Sequence, residues 1–280
     1  MAHRNVSVVT KFFIYIVMLV FTVLTIYPLV WVIIQSFKTN MDFMMNSRLG
    51  LPAEWYFGHY TIVWNQWQFF TFFQNSVIYT SVTVGAVVLL SNMAGFAFAK
   101  IDFKITKLLL GLFIIGLLLT LQSILVPLFL MVNAVGLINT RLGVLIPYVG
   151  LGLPMAVYLN TDFVKRGIPR ELMESAEIDG ASLLAIYRKI ILPMSSPVLI
   201  TIAIITFVAT WNEFIIMNIL TTRDEFRSIP ALVGRFAGSL GTNWGVLFTI
   251  LSMSLVPMLV FYFIFRNKIT QGIAAGAIKG

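Results

Sequence analysis

At 280 residues, 59% hydrophobic and 11% charged, the chain has less than half the charge density of an ordinary soluble domain. Cysteine is absent, which excludes a disulfide scaffold and a thiolate zinc site; His3 and His59, the only histidines, lie too far apart in sequence to suggest a metal centre. A net charge of +8 admits nucleic acid as a partner, but the placing of the basic residues argues against it, as shown below.

A membrane span needs about 20 mainly apolar residues. Six candidates follow in chain order, at roughly 12–35, 76–99, 108–131, 142–163, 196–220 and 245–265. The first is too long for a signal-peptide core and has no small-residue cleavage site behind it, so it reads as an uncleaved span. The fourth contains Pro147 and Pro154, which a span tolerates where neighbours satisfy the freed backbone groups. The long 37–75 segment carries Trp55, Tyr56, Tyr60, Trp64 and Trp67, which read as an interfacial belt, with a docking surface for an external protein as the alternative. No separate soluble domain, linker or internal repeat is evident. The reading is an all-α polytopic membrane protein of six transmembrane helices, one domain over 1–280.

Six spans place both termini on one side. Thirteen of the nineteen Lys and Arg fall in the N-terminus, the 100–107 loop, the 162–193 loop and the tail. The other face holds six. That excess assigns the first set to the cytoplasm. The basic charge is topological, and nucleic acid is set aside.

The densest charge is "ELMESAEIDG", residues 171–180, where four of the eleven acids fall within nine residues. Pro169 suits a first helical position. Glu171 and Glu174 then sit near the positive end of the helix dipole. Gly180 closes the helix in a left-handed conformation. Ser182 caps a second helix, and Pro193 stops it. The expectation is a helix-turn-helix between spans 4 and 5, held outside the membrane. Ala176 and Gly180 are small and four apart, so another surface can approach there. The plainer alternative is a solvated loop.

At these residues the sequence resembles the transmembrane subunits of ABC importers. Their cytoplasmic loop carries Glu-Ala-Ala, three residues, Gly, nine residues, then Ile-x-Leu-Pro. Here it reads Glu174-Ser175-Ala176, Gly180, then Ile190-Ile191-Leu192-Pro193, with only Ser175 departing. "IPRELMESAEIDGAS", "TWNEF" at 210–214 and "QGIAAGAIKG" at 271–280 resemble the carbohydrate-uptake branch, more narrowly its maltose-type, MalG-like second permease. The resemblance implies a bacterial or archaeal cytoplasmic (inner) membrane protein. It implies a second, non-identical permease, an ATPase homodimer or heterodimer, and an extracytoplasmic solute-binding protein that delivers a sugar or oligosaccharide.

The chain contains no Gly-Lys pair, so it cannot form a phosphate-binding loop of the G-x-x-x-x-G-K-[ST] kind. ATP and Mg are expected on the partner ATPase, with no cofactor, metal or catalytic residue in this chain. The resemblance implies an ATPase-coupling loop, 164–193, with Glu171, Glu174, Ala176, Gly180, Ile190, Leu192 and Pro193 as its contact and anchoring residues. Gln271, Gly272 and Lys279 of the tail, 266–280, would make a second ATPase contact. Glu213 is the only acid placed within a span, near its outer end, where an ionisable group is a functional candidate. With Trp211 and Asn212 it reads as a translocation path or an outer gate. The alternatives are an ABC permease for another solute (glycerol phosphate, a polyol, an amino acid) and a secondary transporter. The latter would want midplane ionisable groups and a repeat.

Overall fold

The structure, a computed structural model, describes residues 8–101, 103–237 and 243–277. Among these residues there is no strand. The helices are α1 (Val8–Gln35), α2 (Asn40–Met45), α3 (Gly58–Asn65), α4 (Phe69–Lys100), α5 (Thr106–Leu118), α6 (Leu121–Ala134), α7 (Arg141–Gly167) and α8 (Glu171–Ile178). They continue as α9 (Leu183–Met194), α10 (Ser196–Trp211), α11 (Ile215–Leu220), α12 (Ile229–Ala237) and α13 (Trp244–Ala277).

Among the described residues, four helices, at Val9–Gln35, Phe69–Lys100, Arg141–Gly167 and Trp244–Arg266, are each long and apolar enough to cross a membrane. Two bent pairs would raise the number to six if each counts as one span: α5 with α6, bent by 108°, and α9 with α10, bent by 70°. The single segment expected over 108–131 is thus two helices. The break falls at Leu119 and Thr120, both extended, where neither Gly nor Pro marks it. The Thr120 and Ser123 hydroxyls share a hydrogen bond of 2.7 Å across the new helix start. The segment expected over 196–220 is likewise interrupted, at Asn212–Phe214. By contrast α7 runs unbroken through Pro147 and Pro154.

The chain forms two compact units. One comprises residues 1–69 and 233–259. In it the apolar side chains of α1 stand exposed along most of its length. The segment after α1 is folded on itself. Lys38 is fully buried, and its ammonium donates to the Ser47 carbonyl at 2.7 Å. The Asp42 carboxylate accepts from the Asn46 amide at 2.6 Å and from the Ala53 N–H at 3.1 Å. Phe37 packs against Trp55, Phe57 and Tyr60, while Phe43 stacks on Trp244. Trp55, Tyr60 and Trp67, read above as a belt, therefore also make contacts within the unit, Trp67 against Phe236.

The second unit comprises residues 70–232 and 260–280. Three apolar clusters hold it. One joins Tyr79, Val132, Val144, Tyr148 and Ile216. Another joins Val87, Ala156, Val198 and Ile202. The third carries the loop described below. Between α4 and α7 the Asn92 amide donates to the Asn160 side-chain oxygen at 3.2 Å, and the Asn160 amide donates to Ser91 at 2.8 Å. All three residues are fully buried, so this pairing ties the helices where water cannot compete. Gly95 lets the backbones meet: a Cβ there would lie 2.6 Å from that of Asn160.

Candidate functional site

The quoted acidic stretch forms α8. Pro169 lies before the helix, with Arg170 at the cap position and Glu171 as the first helical residue. Glu171 and Glu174 occupy the first turn, where the helix dipole favours an anion. The C-terminus is a complete Schellman turn. The Ala181 N–H reaches back to the Ala176 carbonyl at 2.9 Å, and the Gly180 N–H to that of Glu177 at 3.0 Å. Gly180 sits at φ +79°, a conformation that a side chain would strain. The Ser182 hydroxyl then accepts from the Ala185 N–H and starts α9.

Pro193 does not end α9. The backbone widens to a π-helix over Tyr187–Ile191, passes through Pro193 and bends only after Met194. Proline has no N–H and crowds the carbonyl four residues back, and a widened turn relieves that clash.

One face of the loop is anchored. Met173, Ile186, Tyr187 and Ile191 are buried with Phe96 and Ala99 of α4 and with Val164 and Ile168. Burying each large apolar side chain is worth about 1.5–3 kcal/mol, so the loop is held rigidly. Ala176, Ile190 and Leu192 pack partly against this cluster. The Lys100 ammonium donates to the Ile168 carbonyl and secures the chain just after α7. The other face is open. Glu171, Glu174, Gly180 and Pro193 are exposed. Ile178 is 87% exposed, and Leu183 and Leu184 are exposed at the start of α9. Exposed apolar side chains thus interleave with the exposed carboxylates of Glu171, Glu174, Glu177 and Asp179 on a segment whose other face is buried. Sequence reasoning missed Leu183 and Leu184. The available signal was apolar residues beside the densest charge.

Glu213 lies at the break between α10 and α11. One carboxylate oxygen accepts from the Ile216 N–H at 2.7 Å. The other accepts from the Tyr148 hydroxyl at 2.7 Å and the Met217 N–H at 3.1 Å. The carboxylate thus caps α11 and ties it to α7. Glu213 also lines a cavity of about 390 Å³ with Tyr148, Thr206 and Thr210 among otherwise apolar walls. Trp211 and Asn212 are not in that lining. Trp211 is buried and stacks on Phe207 at 5.6 Å. Asn212 is exposed, and its amide returns to the Val208 carbonyl.

Of the tail residues, Gln271 and Gly272 fall within α13, and Lys279 lies outside the described residues.

Residues 91–274 match the family described as the binding-protein-dependent transport system inner membrane component. The chain is 31% identical to the trehalose/maltose transport system permease protein MalG of Thermococcus litoralis, over 92% of this chain and 93% of the relative. It is 29% identical to the diacetylchitobiose uptake system permease protein NgcG of Streptomyces coelicolor, over 94% and 87%. Among solved structures, a chain of a bacterial ABC transporter involved in the import of the acidic polysaccharide alginate superposes with a TM-score of 0.80. That match has 22% identity and covers 94% of this chain and 98% of the other.

Proposed function

Because the chain belongs to the family of binding-protein-dependent transport system inner membrane components, we propose that it is the permease subunit of an ATP-driven importer for a sugar or oligosaccharide. Relatives named for trehalose, maltose and diacetylchitobiose support the substrate class. Six spans, with both termini and the 164–193 loop in the cytoplasm, complete the arrangement. A second, non-identical permease forms the other half of the pathway. An extracytoplasmic binding protein delivers the solute. ATP and Mg are held by a separate ATPase dimer.

The observation that carries this reading is the loop: exposed apolar and acidic side chains on a segment anchored by a buried cluster on α4, α7 and Ile168. Ile178, Leu183 and Leu184 enter a cleft of the ATPase. Glu171 and Glu174 contact its rim. Gly180 sets the turn between the two helices. Because α8 and α9 share one buried cluster with α4 and α7, movement of the loop carries those helices along. Closure of the ATPase would then shift the permease between inward- and outward-facing forms. Gln271, Gly272 and Lys279 make a second contact to the ATPase. The Glu213 cavity belongs to the translocation path or its outer gate.

The test is ATP-driven uptake of radiolabelled maltose, trehalose and diacetylchitobiose by the complete complex in liposomes. Uptake of one of these with the parent chain, and none with Gly180→Pro, is the expected result. Unchanged coupling in Gly180→Pro would overturn the role of the loop, and uptake of only non-sugar solutes would overturn the substrate class.

A further inference from the structure

A second cavity, of about 710 Å³, lies where α4 ends, α5 begins and α7 ends. Lys104, Lys107 and Lys165 line it, with Phe98, Leu110 and Tyr158 as an apolar and aromatic wall. Asp162 is the one acid in the lining among the described residues, and Arg166 already engages it at 2.6 Å. Three ammonium groups around one cavity repel each other unless an anion enters. Phe103, next to Lys104, is held in place. Phe103 packs on Phe98 with ring centroids 6.0 Å apart, and the Thr106 hydroxyl donates to the Phe103 carbonyl at 2.8 Å.

We infer that this cavity binds the headgroup of an anionic phospholipid of the cytoplasmic leaflet. The placement rests on the cytoplasmic orientation of the 100–107 loop given above. Three helix ends converge there, and basic pockets between spans on the cytoplasmic side select anionic headgroups. The mixed wall decides between a lipid and a soluble anion. The lysines take the phosphodiester, and the Tyr158 hydroxyl is a further donor to it. Phe98 and Leu110 take the glycerol backbone and the first acyl carbons, for which a free phosphate has no use. The site also touches the 171–194 loop. Ala99 lines the cavity and belongs to the cluster that anchors α8 and α9, and Arg170, at the start of α8, is part of the lining. A bound lipid would therefore brace the base of that loop.

The full-length chain, purified in mild detergent, is titrated with phosphatidylglycerol, phosphatidylcholine or inorganic phosphate and read by native mass spectrometry. No nucleotide or transported solute is present, so the result stands apart from the importer reading. Phosphatidylglycerol is expected to bind at least about tenfold more tightly than phosphatidylcholine. The triple variant Lys104→Gln, Lys107→Gln, Lys165→Gln should lose that preference, and the matching Arg triple should keep it. Leu110→Trp, which fills the cavity without changing charge, should weaken phosphatidylglycerol binding in a monodisperse, folded preparation. Equal binding of the two lipids by the parent, or an unchanged preference in both the Gln triple and Leu110→Trp, would overturn the proposal. Inorganic phosphate binding as tightly as phosphatidylglycerol would overturn it in favour of a soluble-anion site.

Discussion

Glu213 gathers three donors from two helices, and its carboxylate caps the first turn of α11 just past the break that ends α10. Hydrogen bonds to a charged group contribute about 1.5–3 kcal/mol, and the two backbone donors would be left unsatisfied without it. Glu213→Ala should therefore lower the thermal unfolding midpoint by several degrees, whereas Tyr148→Phe, which removes one donor only, should lower it less. Equal midpoints for Glu213→Ala and the parent would show that water replaces the carboxylate. His59 makes a different prediction. It is buried, its Nε2 lies 3.1 Å from the Lys38 carbonyl, and its Nδ1 has no partner. Burial holds the imidazole below its usual value of 6.5, against the smaller opposing effect of the Lys38 carbonyl. A histidine lowered in the folded state favours folding above 6.5, and that contribution is lost as the pH falls below it. Hydrogen exchange in 37–65, corrected for its intrinsic pH dependence, should rise between pH 7 and 5, and His59→Gln should flatten that rise.

At the scale of elements, α4 and α7 form the frame on which the 171–194 loop packs. Their join depends on Gly95 and on the Asn92–Asn160–Ser91 hydrogen bonds. Gly95→Leu must push the helices apart, and overpacking of this kind costs about 1–3 kcal/mol. Coupling of ATP hydrolysis to uptake should fall further than the ATPase rate itself, because the frame no longer moves as one. A variant whose uptake per ATP equals the parent's would refute that role. Some of this frame was legible in the sequence. Gly180 and Ser182 announced the turn of the loop through backbone chemistry local to each residue. Asn92 falls within the span expected over 76–99, where a polar side chain needs a partner on another helix, and Asn160 supplies it. Three features were not legible. The break at Leu119–Thr120 lacks Gly and Pro, so nothing local predicts it. Pro193 reads as a helix stop, but the π-turn before it absorbs the clash. The Tyr148–Glu213 bond joins residues 65 apart in sequence, and only tertiary packing brings them together.

At the scale of the whole molecule, hydropathy, the thirteen-to-six split of basic residues and the family match converge on a multi-pass permease of the inner membrane. The sequence holds no Gly-Lys pair, and in the function proposed above the energy for uptake arrives through the 164–193 loop. Ile178 is the most exposed large apolar side chain of that loop and lies outside the anchoring cluster. The most direct measurement is affinity purification of the tagged chain from its own host in mild detergent, beside an Ile178→Glu variant, with mass spectrometry of what accompanies each. The account predicts an ATPase and a second, non-identical permease with the parent, and retention of the permease but loss of the ATPase with Ile178→Glu. A folded parent chain that emerges alone or only as a homo-oligomer, or a variant that keeps its ATPase in full, would contradict it.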